Sequence, residues 1–183
     1  MPTWAYILIA IAVIVVLAIV AYTALQARKR KELKETFGPE YDRAISDAPT
    51  RKEAETELQE RKERREQFAI RPLAPAARNA YLQQWQQTQA RFVDDPQGAI
   101  NEADDLIQQV MRERGYPVEN FDQRAADLSV DHGDVVDHYR EGHAIARRNV
   151  HGDADTEELR QAFKHYKALF EDLLESRERA EAG

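Results

Sequence analysis

The chain contains no cysteine among its 183 residues. This absence excludes disulfide bonds, thiol catalysis and zinc sites with cysteine ligands. The sequence also has no glycine-rich phosphate-binding loop, no G-x-S-x-G nucleophile motif and no stretch that alternates apolar and polar residues as a strand does. These absences favour a protein without enzymatic activity, and we predict no cofactor.

Acidic side chains outnumber basic ones over most of the chain. The sequence has 26 Lys and Arg residues against 33 Asp and Glu residues, a net charge of −7. Only residues 1–36 carry more basic than acidic side chains. A nucleic-acid-binding protein needs a basic face, so we predict that this protein does not bind nucleic acid.

One uninterrupted apolar run extends from Trp4 to Leu25. As a helix it measures about 33 Å, which is enough to span a hydrocarbon core of about 30 Å. Aromatic residues at both ends suit the two interfaces of a bilayer. A cleaved signal peptide is the alternative, but it needs basic residues before the run and a shorter apolar core. The run therefore predicts a single membrane-spanning helix, with the lipid bilayer as a partner.

A basic cluster follows this run and none precedes it. The cluster extends from Arg28 to Lys34, RKRKELK. The positive-inside rule places such a cluster in the cytoplasm. We therefore predict a single-pass protein of the inner (plasma) membrane, with its N-terminus outside and its C-terminal domain cytoplasmic. An exported C-terminal domain is the alternative.

The remainder of the chain consists of helical patterns separated by glycine and proline. The sequence predicts an all-α protein with an N-terminal transmembrane helix, a charged helical stalk and a small four-helix-type bundle. Residues 51–67 contain only Ala54 and Leu58 as apolar side chains, which favours a solvated spacer. The predicted parts are a transmembrane anchor with a juxtamembrane basic helix (1–36), a charged helical spacer and Pro-rich linker (37–74), a helical bundle domain (75–178) and a disordered tail (179–183).

Local signals mark several helix ends. Asp95 and Pro96 fit the cap and first position of one helix. Asp155 and Glu158 have the spacing of a capping box. A helix along 135–150 is expected to be capped by Asp131 or Ser129.

An aromatic stripe recurs at helical spacing at Tyr81, Trp85 and Phe92. It favours the core of the bundle. A groove for the amphipathic helix of a partner protein is the alternative.

Three histidines fall within the segment Asp131–His143, DHGDVVDHYREGH. On a helix, Asp134, His138 and Glu141 share one face, so they could offer an imidazole and two carboxylates to a divalent metal. A second helix would have to complete the site. A solvated face is the simpler interpretation, and we commit to no metal site from sequence. His143 lies among apolar positions and is expected to be a hydrogen-bonded core residue, although partly buried histidines could also sense pH.

Two carboxylate pairs, Asp94–Asp95 and Asp104–Asp105, have the residue types used in acid–base catalysis. The first pair lies where a helix cap belongs, and the second lies on a helix whose other face is apolar. Both pairs favour a structural role, and no catalytic or cofactor-binding residue is predicted.

Several segments carry a family resemblance, among them FGPEYDR (37–43) and RGYP and RAADLSVDH within 114–132. Together they resemble a family of uncharacterised bacterial proteins with a single N-terminal hydrophobic segment. Such proteins often have DHP where this chain has Asp131-His132-Gly133. Without the proline, the start of the next helix is less firmly fixed. The resemblance implies no activity, ligand or site residue.

These observations favour a membrane-anchored helical interaction or scaffold protein with a protein partner of unknown identity. The alternative is a membrane-tethered metal-dependent enzyme, or a metal or pH sensor, that uses the His/Asp/Glu cluster at 131–143.

Overall fold

The computed structural model describes the backbone of residues 3–150 and 152–181 and the side chains of residues 11–150 and 152–175. Over this part of the chain it forms eight helices and no strand, so the predicted all-α class is confirmed. The helices are α1 (Thr3–Phe37), α2 (Pro39–Asp47), α3 (Arg51–Arg65), α4 (Pro75–Arg91), α5 (Pro96–Arg114), α6 (Phe121–Asp131), α7 (Val136–Val150) and α8 (Thr156–Glu181).

Local chemistry sets several helix ends, two of them where the sequence predicts them. Gly38 adopts φ +52° between α1 and α2, a backbone conformation that glycine tolerates best. The Asp95 side chain accepts a hydrogen bond from the Gly98 amide at 2.9 Å and caps α5. Asp155 and Glu158 form the predicted capping box through two reciprocal hydrogen bonds of 2.8 and 3.0 Å.

The start of α7 differs from the prediction. Ser129 and Asp131 do not cap it, because α6 continues through Asp131 and a turn precedes α7 at Val136. The turn contains Gly133, which lies against the Phe37 carbonyl so closely that an added Cβ would be 2.3 Å from the oxygen. Only glycine fits this contact.

The larger of two hydrophobic cores lies among α4, α5, α6, α7 and α8. The predicted core role of the aromatic stripe is confirmed at Trp85, which is 4% exposed and stacks on Phe170 with ring centroids 4.4 Å apart. Phe92 packs against this core beside Phe163, and Tyr81 is half-buried at its edge. The stripe is therefore not open to a partner helix.

The smaller core joins the end of α1 to α2 and α3. Its buried side chains are Leu33, Phe37, Tyr41, Ala44, Ala54 and Leu58. Phe37 is fully buried and Leu33 is 5% exposed. Because α1 is one uninterrupted helix, its C-terminal end belongs to this core while its N-terminal part extends away from it.

That N-terminal part of α1 is apolar and exposed. Its large side chains between Ile11 and Leu25 are 50 to 64% exposed. The helix is long and apolar enough to cross a membrane. The side chains of Trp4 and Tyr6, predicted to lie at one interface, are outside the described residues.

Helix α3 is as charged as the sequence indicates, and it packs against α1, α2 and α6. Its two apolar side chains, Ala54 and Leu58, are both fully buried. Ion pairs connect it to α6: Arg64 contacts the Asp127 carboxylate at 3.0 Å and Arg65 contacts the Asp131 carboxylate at 2.7 Å. Asp127 is itself fully buried. The charged side chains of α3 therefore pair with α6 as well as contacting solvent.

Candidate metal centre

Helices α7 and α8 approach each other closely at Gly142. A Cβ added at Gly142 would lie 3.0 Å from the Tyr166 ring and 3.3 Å from the Cβ of His165. Glycine inside a helix costs about 1 kcal/mol relative to alanine. The close approach of the helices gives a physical reason for glycine at position 142. It also brings the exposed edges of α7 and α8 together next to Gly142.

At this edge two histidines and a carboxylate meet. His138 and Glu141 lie three residues apart on α7, so they share a face. The Nδ1 atoms of His138 and His165 are 3.0 Å apart, and Nε2 of His165 is 3.3 Å from a carboxylate oxygen of Glu141. One potential ligand atom from each side chain lies within 4.8 Å of the other two. Two imidazoles and one carboxylate are a ligand set used for zinc and other divalent transition metals.

Asp134, the third residue in the sequence-based candidate set, is not part of this group. It precedes α7, and its Oδ1 atom lies 3.1 Å from the position of a Cβ on Gly38. For Asp134, His138 and Glu141 to share one helical face, α7 would have to begin before Asp134. A turn at Gly133 comes first, and α7 begins at Val136. The second helix that the sequence analysis required is α8, and it contributes His165.

Solvent reaches the cluster from one side. Glu141 is 61% exposed and His165 is 22% exposed, and His138 is also exposed. Partial burial lowers the pKa of His165, the Glu141 charge raises it and His138 lowers it, with a net lowering. A lowered pKa favours the neutral imidazole, which is the form that binds a metal.

The remaining histidine-linked cluster is buried and structural. His132, at the end of α6, contacts the Asp172 carboxylate of α8 through Nδ1. On the other side of its ring, the Tyr116 hydroxyl lies 3.2 Å from Nε2 and donates to Asp131 at 2.6 Å. The His132 side chain is 1% exposed, so no substrate reaches it. Sequence reasoning noted His132 but had no signal for Tyr116 or Asp172, which come from distant segments.

A second buried polar cluster surrounds Glu40 of α2. Arg140 of α7 donates two hydrogen bonds to the Glu40 carboxylate, both at 2.7 Å, and Arg61 of α3 donates one at 2.8 Å. Arg43 lies 3.6 Å away. The Glu40 side chain is 2% exposed. This carboxylate therefore joins α2 and α3 of the smaller core to α7 of the larger core.

The other candidate residues from the sequence analysis take part in packing, capping or local hydrogen bonds. His143 is half-buried and stacks on Phe121 with ring centroids 3.6 Å apart. Burial lowers its pKa, partly opposed by the Asp104 charge. Asp95 caps α5, and the Asp104 carboxylate accepts a hydrogen bond from Gln108 at 2.6 Å.

No protein-family model, curated protein or solved structure matches this chain. The fold and the cluster define an all-α protein with one candidate membrane-spanning helix and a His/His/Glu group at the edge of its helical domain.

Proposed function

We propose that this protein is a single-pass membrane protein whose helical domain is mounted rigidly beside the bilayer as an interaction platform or scaffold for another protein. One observation carries the proposal. Helix α1 runs unbroken from an exposed apolar segment into the smaller core, where Leu33 and Phe37 are buried. A flexible tether would need no such burial, so the packing supports a role that depends on where the domain sits.

The orientation rests on charge. The basic side chains between Arg28 and Lys34 follow the apolar segment directly, and Lys31 and Lys34 are well exposed. Exposed basic side chains at this position bind anionic lipid headgroups on the cytoplasmic face. We therefore place the N-terminus outside the inner (plasma) membrane and the helical domain in the cytoplasm.

A reporter fused to the C-terminus tests this orientation. Alkaline phosphatase folds to its active form only after export, so the fusion is expected to be inactive in intact cells. A β-galactosidase fusion at the same position is expected to be active. The opposite pair of activities would place the helical domain outside the cytoplasm and overturn the orientation.

The scaffold role predicts a protein partner that can be captured in intact membranes. Val93 and Val150, which are 82% and 74% exposed, offer positions for a photo-crosslinking amino acid on the helical domain. The same probe at Val15, on the apolar part of α1, is the control and is expected to label lipid. A reproducible protein adduct from the domain positions supports the platform. Adducts with lipid alone, or none, from every position would contradict it.

A metal-dependent sensor or enzyme is a second candidate function. The specific observation that favours it is the placement of His138, Glu141 and His165 at one exposed edge. Such a function would be lost on chelation, whereas a metal-independent platform would keep its crosslinked partner in the presence of a chelator.

A further inference from the structure

We infer that His138, Glu141 and His165 bind one divalent transition-metal ion, with Zn²⁺ as the representative ion, and that the ion bridges α7 and α8. The inference adds a ligand site to the platform and does not depend on the membrane orientation. A protein that failed to bind metal could still be a membrane-mounted platform.

The separations of the ligand atoms support the site. Zinc binds histidine nitrogen and carboxylate oxygen at about 2.0–2.2 Å, so two ligands of one tetrahedral ion lie about 3.3 Å apart. The His138–His165 contact of 3.0 Å and the His165–Glu141 contact of 3.3 Å are close to that separation. The two contacts involve different nitrogens of His165, and one ion would take only one of them. One ligand atom from each side chain lies within 4.8 Å of the other two, and rotation of the exposed His138 and Glu141 side chains would have to close the remaining gap.

The backbone brings the three residues together without a metal. His138 and Glu141 share a face of α7 because they are three residues apart. Gly142 admits His165 from α8, since the Cβ of His165 lies 3.3 Å from where a Gly142 Cβ would stand. Metal sites in helical bundles are built in this way, from side chains on facing helices.

The other described histidines are unsuited to this chemistry. His132 has both ring nitrogens engaged inside the protein, one by Asp172 and the other by Tyr116. His143, which stacks on Phe121, belongs to no group of three close potential ligands in the described part of the chain. Within the described part of the chain, the cluster at His138 is the one group of three potential ligands that lie close enough to share an ion.

Three protein ligands leave a tetrahedral ion with one open position. Water or a side chain of a partner protein could occupy it. Because the ligands come from two helices, the ion would also fix the exposed edge of α7 against α8. Binding to the folded state alone raises the folding equilibrium constant about 100-fold when the free ion is at 100 times its Kd.

The test is a titration of the full chain in detergent micelles, purified without a histidine tag and stripped with chelator. Calorimetry with Zn²⁺ is expected to give one ion per chain, and Co²⁺ is expected to give the visible absorption of a tetrahedral site. The variants His138→Ala and His165→Ala are expected to weaken binding by at least about 10- to 100-fold, the loss that even outer-shell substitutions cause. At the same concentration, Zn²⁺ is expected to raise the Tm of the wild type more than that of His138→Ala.

Asp134→Asn is the matched control, because Asp134 is a carboxylate close to His138 in sequence but lies outside the group. It is expected to bind as the wild type does. His138 is exposed, so its variant is expected to fold even if His165→Ala does not. Absence of binding by the wild type would overturn the inference. Binding by His138→Ala at the affinity of the wild type, or loss of binding in Asp134→Asn, would overturn it as well.

Discussion

Replacing Glu40 by alanine is expected to destabilise the protein by about 3–5 kcal/mol, the cost of removing one partner from a buried ion pair. Glu40 is 2% exposed and accepts hydrogen bonds from Arg140 and Arg61. Without the carboxylate, two largely buried guanidinium groups would lose their shared partner. Chemical denaturation of the full chain in micelles, followed by circular dichroism, measures the change.

Glu60→Ala is the control for this prediction, because Glu60 is an exposed carboxylate on α3. Its free energy of unfolding is expected to stay within about 0.5 kcal/mol of the wild type. Equal losses from both variants would show that the buried cluster contributes nothing beyond an ordinary surface charge.

The same carboxylate predicts a dependence on pH. Burial alone would raise the pKa of Glu40, but the hydrogen bonds and charges of Arg140 and Arg61 outweigh burial and hold the pKa below its ordinary value of 4.5. A lowered pKa stabilises the folded state above pH 4.5, and this stabilisation is lost as the pH falls through the folded-state value. The difference in stability between the wild type and Glu40→Gln is therefore expected to narrow from pH 7 to pH 3. An unchanged difference would mean that the Glu40 charge is not what the arginines stabilise.

Phe37→Ala is expected to cost about 3–5 kcal/mol and to release the helical domain from the apolar part of α1. The ring is fully buried in a core of only six buried side chains, so its loss leaves a cavity that few neighbours can fill. The Phe37 carbonyl also lies against Gly133, so a shift of α1 would disturb the turn before α7. Denaturation measures the cost, and limited proteolysis of the protein in vesicles measures exposure of the segment after α1.

Phe92→Ala is the matched control because it removes an aromatic ring from the edge of the larger core. It is expected to lower stability without increasing cleavage near residue 37. If Phe37→Ala left both stability and cleavage unchanged, the smaller core would not hold the anchor.

Sequence reasoning was sufficient for the elements whose signals are local. The Asp95 cap and the capping box at Asp155 each depend on residues within four positions of one another, and each has the predicted structure. The predicted cap of α7 was wrong because α6 continues through Asp131, and the turn that follows packs at Gly133 against the Phe37 carbonyl, a tertiary contact.

The candidate site was predictable only in part for the same reason. His138 and Glu141 are close in sequence, and their shared helical face could be read directly. His165 lies 27 residues from His138 and enters the group only because Gly142 lets α8 approach α7. Glu40 and Arg140, which are 100 residues apart, gave no signal at all. No spacing rule connects residues whose proximity depends on the packing of whole helices.

The proposed function requires α1 and the helical domain to form one rigid unit. Because the chain has no cysteine, spin labels attach only at introduced positions, and Ala24→Cys with Lys167→Cys places one on exposed α1 and one on exposed α8. Pulsed electron–electron double resonance in lipid nanodiscs is expected to give a single narrow distance distribution, which Phe37→Ala broadens and Phe92→Ala does not. A broad distribution in the otherwise unaltered chain would contradict the claim, since it would show a domain that moves freely at the end of its anchor.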